Sequence, residues 1–235
     1  MSLLKTTVKH LLYYTLPRSY ILMFHHITLK PAIKKSACLL SYDRFTEMIL
    51  AYKEHFAPLK AVLRGAKNKV AITFDDGMSD VYETAYPFLK THGIPFTVFI
   101  ITDFLDTPGY ITTEQLKTMS EDPFVTIGSH GLSHEIFPKM PAAQKERELV
   151  RSKALLEDII KQKVNIFAYS HGQYDKQTLR LAKCYDYAMG VCGLPLSAIS
   201  RKTYAMPRFN VEEATYTRVK NTLDKQLLKH KKAGG

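Results

Sequence analysis

The sequence predicts a single α/β domain built on a parallel sheet or barrel. Three observations carry that expectation. From about residue 20 to the C-terminal end, short apolar runs of strand length alternate with stretches of helical spacing, the pattern of right-handed βαβ units. The run Pro95–Ile101 (PFTVFII) is almost continuously apolar, as a strand covered on both faces must be. Asp75, Asp76, His130, Ser170 and His171 each follow closely on an apolar run, at the strand carboxyl ends where parallel folds build their sites. At 235 residues, 46% hydrophobic and 23% charged, the chain can bury a core without disulfides or a structural metal.

The elements follow in order. Residues 1–19 read as a basic amphipathic segment: Leu4, Val8, Leu11 and Leu12 share a face, with Lys5 and Lys9 beside them. Such a segment suits either the protein's own body or an anionic membrane surface. Tyr20–His26 is the first strand, and Tyr42–His55 a helix capped by Ser41. Lys69–Phe74 is a strand running into Asp75-Asp76-Gly77, and Asp80–Thr91 a helix. Thr112 and Gln115 have capping-box spacing. Phe124–Ser129 is a strand ending at His130, and Pro141 opens a long helix over 142–162 at its first position. Val164–Tyr169 and Tyr187–Val191 are strands flanking a helix at Lys176–Cys184. Asn210 with Glu213 is a second capping-box signal, opening the last helix. Residues 20–215 are expected to form the main domain and 216–235 a basic helix end and tail, with Val219, Leu223 and Leu227 as its apolar stripe.

The net charge of +11 is uneven: residues 1–66 carry +7, residues 215–235 carry +5, and the body between them −1. No zinc-finger spacing, aromatic RNA-binding signature or basic heptad helix accompanies it, so nucleic acid is not an expected partner. No run reaches the ~18 apolar residues of a membrane span. Lys9, His10 and Arg18 interrupt what would be a signal peptide's apolar region. The three cysteines, Cys38, Cys184 and Cys192, are odd in number and lack CxxC spacing, which suggests free thiols in a reducing compartment. The expectation is a cytoplasmic protein whose basic ends either hold it peripherally at the inner membrane face or attract diphosphate-bearing substrates.

The chemistry starts at Asp75-Asp76-Gly77. Adjacent carboxylates raise each other's pKa unless a cation is near, and Gly77 permits a turn that aims both at one point. A solvated turn is the plain alternative. His130 and His134 are four apart, so on one helical turn they would face the same way and could share a metal. Because no Glu follows His130, this is not a metalloprotease helix. Asp76, His130 and His134 together make three ligands with room for water, a catalytic rather than a structural set. Asp75, left unligated, would accept the water's proton.

These residues resemble a known family. TFDDG at 73–77 followed by SHGLSH at 129–134 is similar to the first two motifs of the polysaccharide deacetylases, carbohydrate esterase family 4 or the NodB homology domain. FAYSHGQYD at 167–175, MPRFNV at 206–211 and ILMFHHI at 21–27 resemble further segments of one branch, that of the poly-N-acetylglucosamine deacetylases. The likeness runs over about residues 20–215. It implies a deformed parallel (β/α) barrel that hydrolyses an acetyl group on a sugar. Asp75 is then the general base, and Asp76, His130 and His134 hold one divalent ion, zinc or alternatively cobalt, nickel or manganese. His25 on the first strand is then the proton donor. Where the family's third motif has Pro-Tyr or Pro-Phe, this chain has Ser170-His171. A backbone oxyanion donor survives that change, and His171 adds a titratable group. The arginine that often orients the base in that motif is missing, and Arg208 is expected to replace it by pairing with Asp75. With no Trp in the chain, Tyr169, Tyr174, Phe137 or Tyr110 would have to supply any sugar platform, and each suits the core equally well. The implied reaction removes acetyl from an N-acetylhexosamine unit of a glycan or glycan precursor. An O-acetyl esterase and a non-catalytic glycan-binding domain are the alternatives.

Overall fold

A computed structural model of the protein describes residues 19–29, 38–191 and 203–228. The amphipathic segment up to residue 18, the tail beyond 228 and Cys192 lie outside the described residues.

The frame is a sheet of seven parallel strands: β1 (Tyr20–Phe24), β4 (Val70–Phe74), β5 (Phe96–Ile100), β6 (Val125–Ser129), β7 (Ile166–Ala168), β8 (Tyr187–Met189) and β9 (Phe209–Asn210). Their spatial order is β8-β7-β6-β5-β4-β1-β9. A separate parallel pair is formed by β2 (His26–Thr28) and β3 (Leu39–Ser41). Both faces of the main sheet are buried, as its near-continuous apolar strands require. Leu22, Phe24, Ile72, Phe74, Phe96, Val98 and Phe167 join the larger cluster, with core residues of the helices. The alternate residues Ile21, Ala71, Phe99, Ile166, Ala168 and Met189 form a second cluster with Met206. This is the period-2 division of a strand's side chains, and the second cluster fills the inside of the curl. Leu59 and Val62 of a short helix close it from below. Residues 203–211 draw the two edges together. Met206 bonds Ala188 and Gly190 at the β8 edge, while Phe209–Asn210 pair with β1 and the Val211 N–H reaches the Met23 carbonyl. The fold is thus a deformed parallel (β/α) barrel.

The helices are α1 (Tyr42–Ala51), α2 (Leu59–Leu63), α3 (Tyr86–Thr91), α4 (Thr113–Ser120), α5 (Ala142–Ile160), α6 (Lys176–Leu181) and α7 (Tyr216–Leu227). The capping box at Thr112 and Gln115 forms with both reciprocal bonds. Val219, Leu223 and Leu227 are buried in the main core, so α7 is part of the barrel's packing. Cys38 and Cys184 are free.

Four local expectations need correction. The first strand stops at Phe24, and His26 starts the separate pair. The helix expected from Asp80 opens as a π turn over Val81–Ala85, because Pro87 has no N–H to give to Glu83. Pro141 sits one residue before the first helical position. Asn210 and Glu213 cap nothing: α7 begins after Thr215, Asn210 belongs to β9, and the Glu213 carboxylate accepts from the Ser41 N–H and Arg44.

Candidate active site

The site lies at the carboxyl ends of the parallel strands, where Asp75 follows β4, His130 follows β6 and His25 follows β1. Asp76 is in the left-handed region (φ 72°), a conformation costly for a non-glycine residue. Both carboxylates come near His130 Nε2, Asp76 Oδ1 at 3.3 Å and Asp75 Oδ2 at 3.9 Å.

Asp75 is buried and its position is fixed by Arg208. Arg208 Nη1 donates to Asp75 Oδ1 at 2.6 Å and Nη2 to Oδ2 at 2.7 Å. Its Nε donates to the Gly190 carbonyl and Nη1 also to Thr73 Oγ1, while the guanidinium lies 5.3 Å over the Phe99 ring. A two-point pair of this kind fixes orientation as well as charge. Burial pushes the Asp75 carboxyl up, but Arg208 and His130 outweigh it and hold the pKa below the usual carboxylate range.

Asp76, His130 and His134 converge beside it. Both histidine Nε2 atoms lie 3.3 Å from Asp76 Oδ1, and the three ligand atoms all fall within 4.8 Å of one another. Asp76 Oδ1 is buried, with no hydrogen-bond partner among the described residues, an expensive state that a cation would relieve. His130 Nδ1 is 2.8 Å from the Ala168 carbonyl, so it carries the proton and leaves Nε2 free to ligate. Burial above all pushes His134 down to about 4, which keeps it a neutral ligand. One carboxylate and two imidazoles without thiolate suit zinc, and also cobalt, nickel or manganese. The residues therefore fit the expected ion.

The histidines do not share a helical turn as expected. Residues 130–136 are an irregular loop, with Gly131 at φ 90° and His134 at φ 62°. The i,i+4 spacing is met by two left-handed residues instead. His171 is also left-handed (φ 56°), and its ring centroid lies 4.5 Å from that of His134, beside the ligand set. His25 is half-buried, and its buried Nδ1 takes no hydrogen bond among the described residues. Burial lowers its pKa against the pull of Asp75 and Asp76. His26 points elsewhere, its Nδ1 2.8 Å from Asp80 Oδ2.

Tyr169 does not fit as a sugar platform. It is fully buried, its hydroxyl donates to the Tyr204 carbonyl, and Phe137, Phe167 and Tyr174 pack around it. Phe137 is equally buried. Tyr174, 37% exposed, and the part-buried Tyr110 remain. Sequence reasoning also missed Glu148, whose buried carboxylate bonds the loop between the histidines. Its signal was present: a polar residue beside the Leu149–Leu156–Ile160 stripe of an amphipathic helix.

The polysaccharide deacetylase family model matches residues 63–190. A Bacillus subtilis protein assigned by name to the polysaccharide deacetylases, YxkH, is 36% identical over 144 residues, 60% of this chain and 51% of its own length. The poly-β-1,6-N-acetyl-D-glucosamine N-deacetylase of Staphylococcus aureus (strain MRSA252) is 30% identical over 166 residues, 61% of this chain and 57% of its own. The matches thus span just over half of these relatives. Among solved structures, the Streptococcus pyogenes deacetylase PplD superposes with a TM-score of 0.79 at 24% identity, over 89% of this chain and 99% of that one. IcaB from Ammonifex degensii gives 0.75 at 18% identity, over 88% and 97%. At such identities these two likenesses show the fold alone.

Proposed function

The chain belongs to the polysaccharide deacetylase family, and from that premise we propose that it is a metal-dependent hydrolase removing the acetyl group from an N-acetylhexosamine unit of a glycan or glycan precursor. The observation that carries the reading is the convergence of Asp76, His130 and His134 beside a separately anchored Asp75. The name of the Staphylococcus aureus relative supports an amide of an amino sugar as the substrate.

A divalent cation held by Asp76, His130 and His134 would acidify a water and polarise the acetyl carbonyl. Asp75 takes the proton of the attacking water. Paired with Arg208 it stays ionised at neutral pH, and the pair aims it while lowering its basicity. The third loop, with His171 against His134, would offer a backbone N–H to the oxyanion. His25 then protonates the departing amine, the sugar amine leaves and acetate is the second product.

The test is acetate release from N-acetylglucosamine oligomers, nucleotide-linked N-acetylhexosamines and an acetylated xylan. Release from an amino-sugar substrate, lost on chelation, is expected. Release from the xylan alone would replace the amidase reading with an esterase.

A further inference from the structure

Helix α5 carries two buried charges on the face it turns to the barrel, Lys145 and Glu148. Lys145 Nζ reaches Asp175 Oδ2 at the N-cap of α6 and Gln177 in its first turn. Glu148 faces the loop that joins the two histidines. Its Oε2 accepts from the Leu132 N–H at 2.6 Å and the Ser133 N–H at 3.1 Å, and its Oε1 accepts from Ser133 Oγ at 2.7 Å. The carbonyls of the same loop are taken on the other side: Gly131 by the Thr102 N–H and Leu132 by the Asp103 N–H. A Cβ on Gly131 would lie 2.9 Å from Glu148 Oε2, so the glycine leaves room for this carboxylate as well as for its own positive φ.

From this geometry we propose that Glu148 is a positioning residue for the metal ligands. Its carboxylate organises the turn through residues 131–133, between the left-handed Gly131 and His134, that brings His134 back beside His130 and Asp76. No regular structure sets that turn. Its backbone N–H groups at Leu132 and Ser133 would otherwise lack a partner in a buried place, and Glu148 supplies one acceptor group for both. The inference rests on the metal-site reading above.

The test titrates Co(II) into the metal-free chain against a competing chelator, recording the visible Co(II) spectrum and the urea unfolding midpoint of the metal-free protein. Glu148→Ala is expected to lose about 10- to 100-fold in affinity, as loss of a supporting group behind a ligand does, and to alter the Co(II) bands. Glu148→Gln keeps an acceptor for the two N–H groups, and Ser133 Oγ can turn to accept from its amide, so it is expected to bind within a fewfold of wild type. Leu156→Ala, a core truncation on the same helix, is expected to lose stability and keep wild-type affinity. An unchanged affinity and spectrum in Glu148→Ala, with only the urea midpoint lowered, would overturn the proposal, as would equal losses in the Ala and Gln variants. Should Glu148→Ala not fold, Ser133→Ala carries the test, with a severalfold fall expected and no change contradicting it. A wild-type chain that takes up no Co(II) would contradict the metal reading itself, whatever Glu148 does.

Discussion

Asp75, the proposed base, has both of its oxygens bonded to Arg208. The pair keeps the carboxylate charged inside the barrel, where burial alone would push its pKa up. Arg208→Ala is therefore expected to move the acidic limb of the kcat/KM profile to higher pH. Removing one partner of a buried pair also costs about 3–5 kcal/mol, to be read by urea unfolding at pH 7. The folded pKa of Asp75 in the intact protein is below its unfolded value. Its contribution to stability is thus present above about pH 4 and lost as pH falls through the lowered folded pKa. His25 gives a second prediction at this scale. If it protonates the leaving amine, His25→Ala should cut kcat on an N-acetyl substrate by about 10²- to 10⁴-fold. An activated acetate ester needs no such proton, and its hydrolysis should fall far less. Equal losses on both substrates would show that His25 does something else. The convergence of Asp76, His130 and His134 and the pairing of Arg208 with Asp75 were open to reading because each follows from residue chemistry in a named motif. Tyr169 was misjudged because an aromatic residue beside a site looks the same in sequence whether it faces the sugar or the core.

Among the elements, β1 and β4 to β8 were legible to within one or two residues, since apolar runs such as PFTVFII suit a strand covered on both faces, whereas the short pair of β2 and β3 was not read. The errors cluster where one spacing fits two backbones. His130 and His134 suit a helical turn or a loop with two left-handed residues, and only the surrounding partners, Glu148 and Thr102, decide. Asn210 and Glu213 have capping-box spacing, but strand pairing claims the first and Ser41 and Arg44 the second. Packing between elements is just as demanding. A Cβ on Gly128 in β6 would lie 2.5 Å from the Phe99 ring, a fully buried side chain on the neighbouring strand. Gly128→Ala should thus destabilise by about 1–3 kcal/mol through overpacking, measured as a lower urea midpoint with unchanged slope. At the capping box, Thr112→Ala should cost about 1 kcal/mol.

The molecule as a whole is a parallel sheet whose edges are drawn together by residues 203–211, and that closure delivers Arg208 to Asp75. The alternation of strands and helices announces the sheet, but not the closure. Two residues of β9 and a few bonds to β8 leave almost no periodic trace. The family match over residues 63–190 likewise stops short of β1 and β9, which bring His25 and Arg208 to the site. If the ligand set binds a cation in the folded state alone, a metal present at 100 times its Kd should add about 2.7 kcal/mol. For a chain of this size that is a rise of about 5–10 °C in Tm. The most direct test of the central claim measures acetate release by chelated protein reloaded with zinc, wild type beside Asp75→Asn. One equivalent of zinc should restore wild-type turnover, and the variant should bind the same equivalent and release almost nothing. Turnover that survives chelation, or an Asp75→Asn enzyme as fast as wild type, would contradict the assignment of a metal centre served by Asp75.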